Sequence, residues 1–176
     1  MDNVDVSYAL DGRLVAQEIV HAGASIKKQI RGLISGEEKG ITTYTEWIHE
    51  VVANSPEVRW ATLDSNYIIA RTLLNNLGEV ARSDFSNIVE ALSSPTINLS
   101  VEERAGVLDA SVILLSKTAF DGGLKDDWLW YASKDCSDER YMHLMGTIIA
   151  ASCSLITLLA KKNQVKPISL WDHLNK

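Results

Sequence analysis

Twenty consecutive residues without a formal charge, from Tyr141 to Ala160, constrain this chain more than any other stretch. The run reads YMHLMGTIIAASCSLITLLA, and about 20 apolar residues is also the length of a helix that crosses a bilayer. Such a segment ends up either in lipid or at the centre of a bundle whose other helices each have an apolar side to cover. Its internal pattern favours the bundle. His143, Thr147, Ala150, Ser154, Thr157 and Lys161 follow at alternating steps of four and three, so one side is small and polar, while Ile148, Ile149, Leu155, Ile156 and Leu159 fall opposite. The small-residue spacing from Gly146 to Ala150 to Ser154 also occurs at membrane-helix contacts. Flanking charge is balanced, with Arg140 before the run and Lys161 and Lys162 after it. A span at 141–160 is therefore ranked below a core helix.

A core helix needs partners, and helical periodicity supplies them. From about Ser7 the residues Gly12, Ala16, Ile19, Gly23, Ile26, Ile30 and Leu33 form one stripe that stops at Gly36, with small positions 12, 16 and 23 suited to close helix approach. A shorter helix is expected from Thr43, where Thr43 and Glu46 make a capping box, to about Asn54. Ser55-Pro56 starts a third, with a seam of Leu63, Tyr67, Ala70, Leu74, Leu77 and Ala81 and a flanking set of Ile69, Leu73 and Val80 that implies two neighbours. A short helix through Phe85, Ile88, Val89 and Leu92 ends before Pro95. Ser100-Val101-Glu102-Glu103 caps the next, whose seam reads Val101, Ala105, Leu108, Val112, Leu115 and Ala119. Ser137 caps the long apolar helix, and Pro167 introduces a last short one.

No run of alternating β-branched residues is present, so the expected class is all-α. At 176 residues, with 46% hydrophobic and 23% charged residues, the chain fits a single-domain helical bundle over 1–176. The long helices are expected at about 7–35, 56–81, 100–120 and 138–162, with two or three short ones including 168–175. Two cysteines, Cys136 and Cys153, are too few for a disulfide framework, and the acidic start lacks a secretory profile. Both point to a reducing, cytoplasmic setting.

Chemistry is hard to find. The four histidines lie on four different segments, and His49-Glu50 fails as a zinc-protease motif because Ala53 stands where the second histidine belongs. A metal would require His49 and His143 to meet a third ligand such as Asp64 or Glu139 across helices. Gly122-Gly123 and Gly36-x-x-x-Gly40 read as helix stops and turns, not phosphate loops. Cys136 sits among acids that oppose thiolate formation, and Cys153 reads as a small core residue. No catalytic residue and no cofactor are expected. An interior ligand site near His143, Thr147 and Tyr67, serving an enzyme or sensor, is the alternative.

The net charge of −6 argues against a nucleic-acid partner, and most of it is local. The loop 121–139, DGGLKDDWLWYASKDCSDE, holds six acids against Lys125 and Lys134, together with Trp128, Trp130 and Tyr131. Aromatic anchors rimmed by charge are the residue types of interface hot spots. The leading reading is thus a non-enzymatic protein-binding domain, of immunity, antitoxin-type inhibitor or accessory-subunit kind. It would take a basic protein partner through Asp126, Asp127, Trp128, Trp130 and Tyr131. A homodimer through exposed seams or the tail at Leu170 and Trp171 is compatible with the same pattern.

Overall fold

The computed structural model describes residues 12–76, 87, 98–115 and 123–175, with side chains at 21–76, 87, 98–114 and 126–175. The described residues form seven α-helices and no strand: α1 Gly12–Ile34, α2 Glu38–Val52, α3 Pro56–Asn75, α4 Val101–Leu115, α5 Gly123–Lys134, α6 Asp138–Lys162 and α7 Pro167–Leu174. The chain is all-α, as its periodicity implies. Apart from Asn87, which is helical and exposed, the expected helix through Phe85 to Leu92 lies outside the described residues, as do the start of the first helix before Gly12 and the ends of the seams at Leu77, Val80, Ala81 and Ala119.

Capping chemistry set three starts where the residues indicated. Ser55 accepts from the Val58 N–H with Pro56 in the first turn, Ser100 accepts from the Glu103 N–H at 3.1 Å, and Ser137 accepts from the Arg140 N–H at 3.2 Å. The start of α2 differs from the expectation at Thr43. Gly36 takes φ +74°, the chain turns at once, and α2 begins at Glu38. Thr43 is inside the helix, and its hydroxyl donates to the Lys39 carbonyl. Gly40, taken as a stop, is instead a packing position, because a Cβ there would overlap the Gly32 carbonyl of α1.

The apolar run is the central helix. α6 lies against α1, α2, α3, α4 and α7, and Leu144, Met145, Ile148, Ile149, Leu155 and Ile156 are at most 1% exposed. Its length and composition would let it cross a bilayer, and half of its most apolar stretch is buried within the molecule. The side from His143 to Lys161 is the less covered one, as the stepping pattern indicated.

α3 is a second hub, which the sequence underestimated. It packs on α1, α2, α5 and α6, and every residue from Arg59 to Tyr67 is buried, including Arg59, Thr62, Asp64, Ser65 and Asn66. Buried polar groups cost free energy unless satisfied, and several are used to lock α3 to α6. The Arg59 guanidinium lies 4.5 Å over the Tyr141 ring and donates to Asp138 at 3.2 Å, while the Tyr141 hydroxyl donates to the Arg59 carbonyl at 2.7 Å. Asn66 donates to the Met145 carbonyl at 3.1 Å.

Two packing expectations are overturned. A Cβ on Gly23 would meet nothing within 4 Å, so among the described residues no helix approaches closely there. On α4 the expected seam faces outward: Val101 is 84% exposed, Leu108 50% and Val112 59%. The buried side carries Gly106, Val107, Ala110, Ile113 and Leu114 against α6, and a Cβ on Gly106 would overlap the Arg140 carbonyl. Close backbone approach selected the small residues for the contact, and the branched ones were left outside.

The tail docks on its own molecule. Trp171 is buried, and Arg31 of α1 donates to both carboxylate oxygens of Asp172, at 2.8 and 3.0 Å.

Candidate functional site

The segment read as an acidic aromatic loop is mostly helix, because 123–134 form α5 against α3. A helix distributes its residues around an axis, so the five expected contact residues spread over a wide arc rather than one narrow face. Leu129, Ala132 and Ser133 are buried and define the inner side. Trp128 and Trp130 flank that side and pack, half-buried, on the hydrophobic core. Asp126 and Asp127 are both half-buried, Asp126 beside the same side and Asp127 on the outer side with Tyr131, four residues on and 41% exposed. The remaining tryptophans are also structural. Trp60 and Trp171 are buried, and the Trp47 indole N–H donates to Ser25 Oγ.

Around Tyr131 the α5–α6 turn meets the start of α4. The Ser137 hydroxyl donates to Glu102 at 2.7 Å, and Arg140 donates through Nε and a terminal nitrogen to both oxygens of Asp109, at 2.7 and 3.0 Å. These bonds from Arg140 to Asp109 hold the guanidinium well above its ordinary pKa, with Cys136 and Tyr131 contributing from close by. Burial pushes the Cys136 thiol up, ahead of the opposing effect of Arg140, so thiolate chemistry is discouraged. The exposed acids Asp135, Asp138 and Glu139 complete this corner.

A second feature brings His49 and His143 together. Both line a cleft of about 350 Å³ between α2 and α6, with Tyr44, Ile48, Met142, Gly146 and Thr147. His143 is held from two helices: Nδ1 donates to the Glu139 carbonyl of α6 at 3.0 Å, and Nε2 stands 3.4 Å from the Glu103 carboxylate of α4. His49 makes no side-chain hydrogen bond to any described residue. The Tyr44 hydroxyl reaches over Gly146, where a Cβ would sit 3.2 Å from it. Burial, with a smaller contribution from Cys153, pushes that phenol up to about 12, so it stays a donor at neutral pH. Burial likewise pushes the Cys153 thiol up to about 11.

The third metal ligand does not arrive. Among the described residues no group of three His, Cys, Asp or Glu side chains could hold a metal ion. Asp64 is buried on α3, Glu139 is exposed, and neither Asp64 nor Tyr67 lines the cleft. Sequence reasoning missed Tyr44, for which no motif exists, noted Gly146 only as part of a small-residue spacing, and missed the outward stripe of α4. For α4 a signal was present: Gly106-x-x-x-Ala110 is the small-residue spacing of a close helix contact.

Compared with known proteins, the chain matches no family model, no curated protein and no solved structure.

Proposed function

We propose that the chain is a non-enzymatic protein-binding domain that captures a partner with a basic surface, in the manner of an inhibitor or an accessory subunit. The observation that carries this reading is the outward side of α5. Tyr131 stands exposed beside Asp127, next to a turn bearing Asp135, Asp138 and Glu139. An aromatic ring with an apolar body and a polar tip, rimmed by carboxylates, suits a basic protein surface. The contact set is correspondingly narrower than the aromatic content of the segment, because Trp128 and Trp130 serve the core. A photo-crosslinking residue at position 131, introduced in the native host, tests it. Adducts with basic proteins that disappear on making Asp127→Asn and Asp135→Asn support the reading. Adducts restricted to acidic proteins, or no adduct at all, sink it.

The cleft between α2 and α6 favours a second reading, a small-molecule site. Its volume of about 350 Å³ lies at the lower end of ligand pockets, and it combines an apolar floor with the Tyr44 hydroxyl and the His49 imidazole. Native mass spectrometry with elemental analysis of the purified chain tests this. A retained small molecule that is lost in Gly146→Leu supports it, and a purified chain carrying no small molecule opposes it.

A further inference from the structure

We propose that the outer face of α4 is the seat of an amphipathic basic helix belonging to a partner protein, an inference that rests on the protein-binding reading above and gives it a surface. Val101, Ala105, Leu108 and Val112 follow at steps of four, three and four, so they form one continuous row along α4. The row points directly away from Gly106 and Ala110, which face α6. Over the eleven rises from Val101 to Val112 it is about 16 Å long, the length of three turns on a facing helix. Ala105, between Val101 and Leu108, leaves a notch of the kind a facing side chain fills. A helix apolar on both sides is the middle layer of a helical stack, and here only one neighbouring layer, α6, is supplied by the described residues.

Charge selects the occupant. Glu102 and Asp109 lie along one edge of the row with exposed Arg104 on the other, and Ser137 bonded to Glu102 brings the α5–α6 turn, with exposed Asp135, to the acidic edge, exposed Glu139 following in the first turn of α6. Asp109 is neutralised by Arg140, whereas Asp135 and Glu139 have no ion-pair partner among the described residues. A helix with an apolar seam and lysines or arginines beside it meets both the row and this edge. A second copy of the chain would bring the same acidic edge and the same net charge of −6, gaining apolar contact without charge complement.

Two synthetic helices of about 18 residues, five turns each, test the inference against the full chain by fluorescence anisotropy. Both carry a leucine seam, one flanked by lysines and the other by glutamates. The expected result is binding of the lysine peptide alone, weakened by added salt, and weakened at least about tenfold by Leu108→Asp or Val112→Asp. Circular dichroism checks that each variant keeps its helices, and Leu108→Ser repeats the measurement with a milder change if one does not. Equal binding of both peptides overturns the charge assignment and with it the occupant. Lysine-peptide binding that survives the α4 variants but falls in Tyr131→Ala overturns the α4 surface and leaves the protein-binding reading standing. A dimer in sedimentation that both Asp variants dissolve, with neither peptide bound, overturns the inference in favour of a second copy. The absence of both peptide binding and dimer overturns it outright.

Discussion

α4 and α6 are both rich in large aliphatic residues on more than one side, yet the fold treats them differently. α6 is enclosed by α1, α2, α3, α4 and α7, while α4 is covered on the α6 side and presents Val101, Leu108 and Val112 to solvent. An apolar helix thus carries no instruction about its depth until its neighbours are counted. What distinguishes the two is the number of amphipathic helices that need each as a partner. The largest test of that contrast is a matched truncation. Ile148→Ala on α6, at a fully buried position, is expected to cost about 2–5 kcal/mol, measured by urea unfolding, through lost burial and a residual cavity. A cost below about 1 kcal/mol would mean that α6 is not the packed centre described.

Next in size is the contact that joins the two helices. Gly106→Ala puts a methyl group into the Arg140 backbone, where only a shift of α4 relieves the overlap, so about 1–3 kcal/mol of destabilisation is expected from thermal or urea unfolding. The same change at Gly23, which has open space, should be neutral or slightly stabilising through reduced freedom of the unfolded chain. A reversed order would show that α4 does not lie on α6 through its small residues.

Much of the fold was legible and much of the site was not, for one physical reason. Capping residues act on their own turn, so Ser55, Ser100 and Ser137 revealed their helix starts without tertiary knowledge. The partition of α6 into polar and apolar sides was equally local. Facing is a property of pairs of helices, and α4 shows the consequence: its period is satisfied by two opposite stripes, and the backbone approach at Gly106 decides between them. On α3, nothing local signals that Arg59 and Asn66 are buried, because their polar partners Tyr141 and Met145 lie about eighty positions away. The acidic aromatic segment was found by composition, but composition has no direction, and the helical turn of α5 divided its five candidates between core and surface.

The ion pairs provide a graded comparison of the interior edge with the rim. Arg140 and Asp109 are 27% and 18% exposed at their side chains, so Asp109→Ala, which leaves a partly covered guanidinium without its carboxylate, is expected to cost about 1–2 kcal/mol. Arg31 and Asp172 are about half exposed, and Asp172→Asn should do no more than loosen α7, seen as faster amide exchange there with little change in global unfolding. The Asp172 pKa is lowered first by its hydrogen bond to Arg31, so the protective contribution is present above the unfolded carboxylate value of about 3.9 and fades as pH falls through the lower folded value. Protection of the α7 amides, corrected for their intrinsic exchange rates, that falls instead toward neutral pH would contradict that sign.

The smallest expected effect is the most informative about α4. Leu108→Ser removes an isobutyl group that is half exposed and faces away from α6, so little apolar area is returned to water on unfolding the variant less favourably than the parent. Urea unfolding should shift by no more than about 0.5 kcal/mol, set mainly by the lower helix propensity of serine. A buried leucine at the same point of a bundle would cost several times more, so the measurement reads directly whether this face is covered in the isolated chain. A loss of 2 kcal/mol or more, about what truncating a core leucine costs, would mean that α4 already has its second layer within the molecule or in a second copy; dilution distinguishes these, since only a second copy makes the stability fall with protein concentration.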